Sequence, residues 1–148
     1  MNSNVIGLLN LIKKSLFNAD ITFSEDTDWE EVHKEASLQM VMALTAGAVP
    51  ESEAAKWLEP AAQSTSHYLK MLFEQKNLVS LFTANDIPFV IIKGMAAAVY
   101  YPNPLLRTMG DIDFIVPEEY YDASVELLTE NGYVLDETHD TERHCGFL

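Results

Sequence analysis

Between Val5 and Phe17 apolar residues recur at helical spacing, with Val5, Ile6, Leu8, Leu9, Ile12 and Leu16 on one broad face, until Asn18-Ala19-Asp20 interrupts them. A helix is predicted there. After a polar loop through Ser24-Glu25-Asp26-Thr27, the spacing Asp28-x-x-Glu31 resembles a capping box, with Asp28 accepting an orphan backbone N–H and Glu31 reaching back. That predicts a helix to about Thr45. Gly47 and Pro50 break it, and Glu51 to Leu58 predicts a short helical piece before Pro60. From Ala61 to Ala84 there is neither Pro nor Gly, and Tyr68, Leu72, Val79 and Phe82 share one side, so the longest helix is expected here.

The texture then changes. Asn85-Asp86 and Pro88 end the helical pattern, and Phe89-Val90-Ile91-Ile92 is a continuous apolar run, mostly β-branched, that predicts a buried strand. Lys93-Gly94 closes it, and Met95 to Tyr101 predicts two short helical turns. Pro102 and Pro104 force an extended loop through Leu105-Leu106-Arg107-Thr108. A second strand is predicted over Asp111–Val116. Pro117 then opens a helix with Tyr121, Val125 and Leu128 as its apolar stripe and Asn131-Gly132 as its cap. Tyr133-Val134-Leu135 resumes a strand, and the apolar Cys145-Gly146-Phe147-Leu148 reads as a strand cut short. The expected organisation is α+β: a helical N-terminal subdomain over 1–85, then a small mixed β-sheet with flanking helices over 86–148.

A chain of 148 residues suits one domain, or one domain carrying a helical extension, and 48% hydrophobic against 22% charged residues excludes global disorder. Lys and Arg number 9 against 23 Asp and Glu, giving a net charge of −14. That sign repels phosphate backbones at long range and argues against nucleic acid as a partner. The single cysteine, Cys145, fits a reducing compartment. No apolar run is long enough to span a bilayer, and the N-terminus lacks the positive region of a signal peptide. A soluble, cytoplasmic protein without membrane contact is therefore expected.

The chemistry centres on Asp111-Ile112-Asp113. On a strand, alternation places both carboxylates on one face, about 6.5–7 Å apart at Cα, while Ile112, Phe114 and Val116 turn to the other. Two carboxylates beside a core need water, basic partners or a hard cation, and Mg²⁺ is commonly held by one or two carboxylates plus substrate phosphates. The plainer alternative places Asp111 in a Met109-Gly110-Asp111 turn and Asp113 at a solvated sheet edge. Lys93 and Arg107 bring cations: each is read either as a phosphate contact or as structural, Lys93 as a solvated strand end and Arg107 as the neutraliser of Asp111 or Asp113. His139, His144 and Cys145 match none of the common zinc spacings. His33 and His67 read as surface or packing residues. Trp29, Trp57, Tyr68, Phe73 and Phe82 read as core rather than as a base-stacking platform.

Ile91-Ile92-Lys93-Gly94-Met95-Ala96-Ala97, Tyr100-Tyr101-Pro102-Asn103-Pro104 and Arg107-Thr108-Met109-Gly110-Asp111-Ile112-Asp113-Phe114-Ile115-Val116 together resemble the core of the uncharacterised nucleotidyltransferase family, within the DNA polymerase β-like superfamily. Ala123, Leu127-Leu128 and Asn131-Gly132-Tyr133 continue the pattern, and the helical lead-in with Trp29 and Val41 is similar in a less specific way. The resemblance implies that Lys93, Gly94, Met95 and Arg107 meet the phosphates of a nucleoside triphosphate, and that Asp111 and Asp113 hold Mg²⁺ or Mn²⁺ and are catalytic. The reaction implied is in-line transfer of a nucleoside monophosphate to a small-molecule or protein acceptor.

Three departures accompany it, the first being a segment between Gly94 and Asp111 longer than in many members of the superfamily, which this branch tolerates. Met95 stands where the superfamily commonly has a phosphate-touching Ser. The third carboxylate of the superfamily is expected beyond Leu148, since Glu137, Asp140 and Glu142 are poor candidates, and the segment alone is then expected to be weak in metal binding and inactive. Two other readings follow: a degenerate nucleotide-binding or protein-interaction module, and a sugar-nucleotide glycosyltransferase, which the 85 preceding helical residues disfavour.

Overall fold

A computed structural model describes the chain over residues 3–141 and 144–147. Four helices come first: α1 (Ser3–Phe17), α2 (Trp29–Leu38), α3 (Met42–Thr45) and α4 (Ala54–Ala84). Then follow β1 (Val90–Ile92), α5 (Gly94–Ala98), β2 (Asp113–Ile115), α6 (Tyr121–Glu130), β3 (Leu135–Thr141) and β4 (His144–Phe147). The class is α+β, as the sequence predicts. Instead of one mixed sheet, however, the described residues form two antiparallel ribbons, β1–β2 and β3–β4.

Helix α4 organises the whole molecule. Its 31 residues make a rod about 46 Å long, and its buried side chains reach three successive apolar clusters. Trp57 lies with Leu8, Leu11, Val32, Ala36 and Met42 from α1 to α3. It is fully buried, and its indole N–H donates to Thr45 Oγ1 at 3.2 Å, so a large apolar surface is removed from water without stranding the donor. Tyr68 packs with Met95, Ala98 and Met109. Leu78 and Phe82 pack under the β1–β2 ribbon, against Ile91, Ile112 and Phe114, with Leu128 from α6. Phe82 makes edge-on ring contacts with Phe89 and Phe114 at 5.1 and 5.4 Å. Trp57, Tyr68 and Phe82 are thus core, as expected, and Trp29 packs beside the first cluster. Phe73 is 62% exposed and is not core.

Several predicted boundaries move, each for a local reason. The helix from Asp28 stops at Leu38 rather than near Thr45, because Met40 takes a left-handed φ of +57°. Its neighbours then close a Schellman motif, with Val41 N–H donating to Ala36 and Met40 N–H to Ser37. Asp28 caps α2 as predicted, accepting from the N–H groups of Glu30 and Glu31. Glu31 does not reach back; its carboxylate pairs with Lys34 at 3.2 Å. Pro60 does not separate two helices, since α4 runs through it. The Lys56 carbonyl that Pro60 cannot bond accepts from His33 Nε2 at 3.3 Å. Helix α5 ends at Ala98 rather than Tyr101. Strand β3 starts at Leu135, because Tyr133 N–H is held by Leu128 in the cap that Gly132 forms at φ +89°.

Candidate functional site

The site is built on the β1–β2 ribbon, where Val90 faces Ile115, Ile91 faces Phe114, and Ile92 faces Asp113. Ile112, Phe114 and Val116 pack into the core below. Alternation turns Asp113 and Ile115 to the opposite face, where Ile115 and its partner Val90 are 57% and 63% exposed. Ile92 and Asp113 are the last pair of the ladder, so Asp111 lies in the loop before β2 and not on the strand. This corrects the expected strand over Asp111–Val116. Beyond Ile92 the chain turns, and no β1 residue remains to pair with Asp111.

The turn is made by Lys93, whose φ of +49° and ψ of −129° lie where a side chain is strained. Such a conformation costs about 1–3 kcal/mol and persists only where the surroundings impose it. Two contacts do so here. Ala97 N–H donates to the Lys93 carbonyl at 2.7 Å. Gly94, the next residue, is buried so tightly that a β-carbon on it would stand 2.8 Å from Met109 Cε and 3.5 Å from the Asp111 carbonyl oxygen. The backbone of Lys93-Gly94 is therefore wedged beneath the loop that leads to Asp111.

From this turn Lys93 extends Nζ to 3.0 Å from Asp113 Oδ1. The ammonium side of the pair is 69% exposed and the carboxylate side 24%. The sequence-predicted residues Lys93, Gly94, Asp111 and Asp113 thus gather at one end of the ribbon. Met95 and Arg107 do not join them through their functional ends. The Met95 side chain is buried with Tyr68, Ala98 and Met109, so it faces the core. Arg107 folds back on its own loop, with Nη1 donating to the Thr108 carbonyl at 2.9 Å and lying 3.5 Å from Met109 Sδ. Of the ion pairs among the described residues, none joins Arg107 to Asp111 or Asp113, so Arg107 does not neutralise either carboxylate by direct contact.

Thr108 and Met109 are the supporting residues that sequence reasoning missed. The Thr108 hydroxyl donates to the Met40 carbonyl at 2.7 Å and lies 3.2 Å from Ser64 Oγ. Having one hydrogen to give, Thr108 must receive that of Ser64. The loop carrying Arg107 to Asp111 is thereby tied to α4 and to the end of α2. Met109, 2% exposed, fills the space that Gly94 leaves open. Nothing in the residue types marked either role beforehand, since both depend on contacts distant in sequence.

Among the described residues no group of three or more His, Cys, Asp or Glu side chains is placed to hold a metal ion. The side chains of Glu137, His139, Asp140, His144 and Cys145, and the whole of Glu142, lie outside the described residues. Elsewhere, an open groove of about 780 Å³ runs between α4 and the end of α6, lined by Glu74, Asn77, Ser80, Leu81, Asn131, Gly132 and Tyr133. Burial, and secondly the Glu74 carboxylate, push the Tyr133 phenol above its ordinary pKa. No helix among the described residues is long and apolar enough to cross a membrane.

A family model described as an uncharacterised nucleotidyltransferase matches residues 25–146. The match takes in α2 to β3 and most of β4, and with them the β1–β2 ribbon and the loop that carries Asp111. Comparison with curated proteins and comparison with solved structures each found no match.

Proposed function

The chain belongs to the uncharacterised nucleotidyltransferase family, and from that premise we propose that it transfers a nucleoside monophosphate from a nucleoside triphosphate to a small-molecule or protein acceptor. In this reading the β1–α5–β2 unit is the opening of a polymerase β-like core, and Asp111 and Asp113 are the catalytic carboxylates. The observation that carries it is the placing of Asp113 beside a cation at 3.0 Å, at the ribbon end where Gly94 admits the Asp111 loop.

The donor set suits Mg²⁺ or Mn²⁺, because such ions take one or two carboxylates and complete their shell with phosphate oxygens and water. Asp113 is paired with an ammonium at hydrogen-bond distance, so its carboxylate faces a positive charge that a divalent ion would replace. A divalent ion bound there would neutralise charge on the phosphates and on the departing pyrophosphate. The chain's own residues do the rest. Lys93 reaches phosphate oxygens from a side chain that is mostly in solvent. The backbone of Gly94 and Met95 opens α5, where the first N–H groups lack intrahelical acceptors. Arg107 serves the loop rather than the phosphates, its Nη1 donating to the Thr108 carbonyl. In the transfer, an acceptor oxygen forms a bond to the α-phosphorus as the bond to pyrophosphate breaks, and the acceptor's proton passes to solvent. The net charge of −14 favours an acceptor other than nucleic acid.

The test is thermal stability with a panel of nucleoside triphosphates, with and without Mg²⁺ or Mn²⁺, for the wild type and the Asp111→Asn/Asp113→Asn variant. Stabilisation by a triphosphate that needs metal and vanishes in the variant is the expected result. Equal stability under all conditions, in a chain that also carries the third carboxylate, would overturn the reading. A second reading, a module that binds nucleotide without turnover, is favoured by Met95, whose thioether has no hydroxyl to offer a phosphate and whose side chain is buried in the core. Metal-dependent stabilisation without pyrophosphate release in the presence of candidate acceptors would select it.

A further inference from the structure

We propose that Lys93 is a resident counter-ion which a divalent metal must displace from Asp113, and which passes to the triphosphate, so that metal and nucleotide bind with positive coupling through this one side chain. The proposal rests on the reading of Asp113 as a metal ligand.

The two halves of the ion pair are unequal. Asp113 is the sheltered partner at 24% exposure, held by its ladder position opposite Ile92. Lys93 is the exposed partner at 69%, with four rotatable bonds between its backbone and Nζ. That backbone is fixed in a strained conformation by the Ala97 N–H on its carbonyl and by the packing of Gly94 under Met109. A flexible arm on a rigid base can exchange one anion for another without the site rearranging.

Charge sets the order of events. While the ammonium lies 3.0 Å from Asp113 Oδ1, an incoming divalent ion meets a like charge and must break an ion pair. A triphosphate offers the ammonium a new and more negative partner, so its arrival removes both obstacles together. Exposed ion pairs are weak, which keeps the expected effect of this one to about two- to fivefold in affinity. The pair is therefore strong enough to bias metal binding and weak enough to open.

The experiment measures Mn²⁺ affinity from the paramagnetic resonance of free Mn²⁺, with and without a non-hydrolysable triphosphate, in wild type, Lys93→Met, Lys93→Arg and Asp113→Asn. Lys70→Met, at an exposed lysine away from the site, on α4, controls for the change in net charge. The expected result is that Lys93→Met binds Mn²⁺ alone about two- to fivefold more tightly than wild type and Lys70→Met, and binds the triphosphate more weakly. The enhancement of Mn²⁺ binding by triphosphate then shrinks, while Lys93→Arg retains it. Equal Mn²⁺ affinity in Lys93→Met and wild type, with binding lost in Asp113→Asn, would overturn the role of Lys93 alone. Undiminished Mn²⁺ binding in Asp113→Asn would overturn the metal-site reading beneath it.

Discussion

His33 Nε2 donates to the main-chain carbonyl of Lys56 at 3.3 Å, supplying from α2 the hydrogen bond that Pro60 denies to α4. A carbonyl can only accept, so the neutral ring carries its proton on Nε2. The ring also stands edge-on to Trp57 at 4.8 Å, which joins the repaired turn to the core. His33→Ala is expected to cost about 1–2 kcal/mol by urea denaturation, from the lost bond and ring contact. In a Pro60→Ala background the cost is expected to fall, because residue 60 then has an N–H for the Lys56 carbonyl. Equal costs in both backgrounds would show that the His33 bond does not compensate for Pro60.

Met40 closes α2 at φ +57°, a position where glycine carries no steric penalty. Its side chain is 57% exposed and adds little packing. Met40→Gly is therefore expected to raise stability by about 0.5–1 kcal/mol, read as a higher urea midpoint with unchanged slope. Its carbonyl still accepts from Thr108, so the site loop keeps its tether. A destabilised variant would mean that the Met40 side chain holds more than its exposure indicates.

These two positions also show what a sequence conceals. The helix ends at Asn85-Asp86 and at Asn131-Gly132 were legible because their residue types favour helix termination. Met40 ends a helix with a residue that carries no such signal, and its conformation is supported by contacts with Thr108, far along the chain. Pro60 carried a strong signal that tertiary structure overrode, through a histidine 27 positions earlier. At the site, the meeting of Lys93 with Asp113 follows from two adjacent strands and a register. The strain at Lys93 and the wedge of Met109 over Gly94 belong to loop packing, which alternation of apolar residues does not encode.

Tyr133, in the groove between α4 and the end of α6, offers a pH signature of its own. Burial first, and the Glu74 carboxylate second, raise its pKa above the ordinary 10.0. The folded state thus keeps its proton longer than the unfolded chain does. The stabilising contribution is fully present below the unfolded value and is lost as pH rises through the higher folded one. Ultraviolet titration of tyrosinate, as wild type minus Tyr133→Phe, is expected to give a late-titrating group. Glu74→Gln should bring that midpoint down without fully restoring it, since burial remains. A midpoint unmoved in Glu74→Gln would remove the carboxylate as a cause.

Gly94→Ala tests whether the loop that carries Asp111 is held in place by packing. A β-carbon there meets Met109 Cε at 2.8 Å, and Met109 is only 2% exposed, so its terminal methyl has little room to retreat. Overpacking of this kind costs about 1–3 kcal/mol. Met109→Ala removes the obstructing methyl but leaves a cavity, at a cost of about 2–5 kcal/mol alone. If the contact is the cause, the double variant is more stable than the sum of the two losses predicts, by at least about 0.5 kcal/mol in a denaturant cycle. Strict additivity would place the Gly94 effect elsewhere, in the backbone of the turn itself. The functional consequence is separable: the Asp111 carbonyl lies 3.5 Å from the same β-carbon, so displacement of the loop in Gly94→Ala should weaken metal-dependent triphosphate binding. Recovery of that binding in the double variant would tie the position of Asp111 to the close approach that only glycine permits.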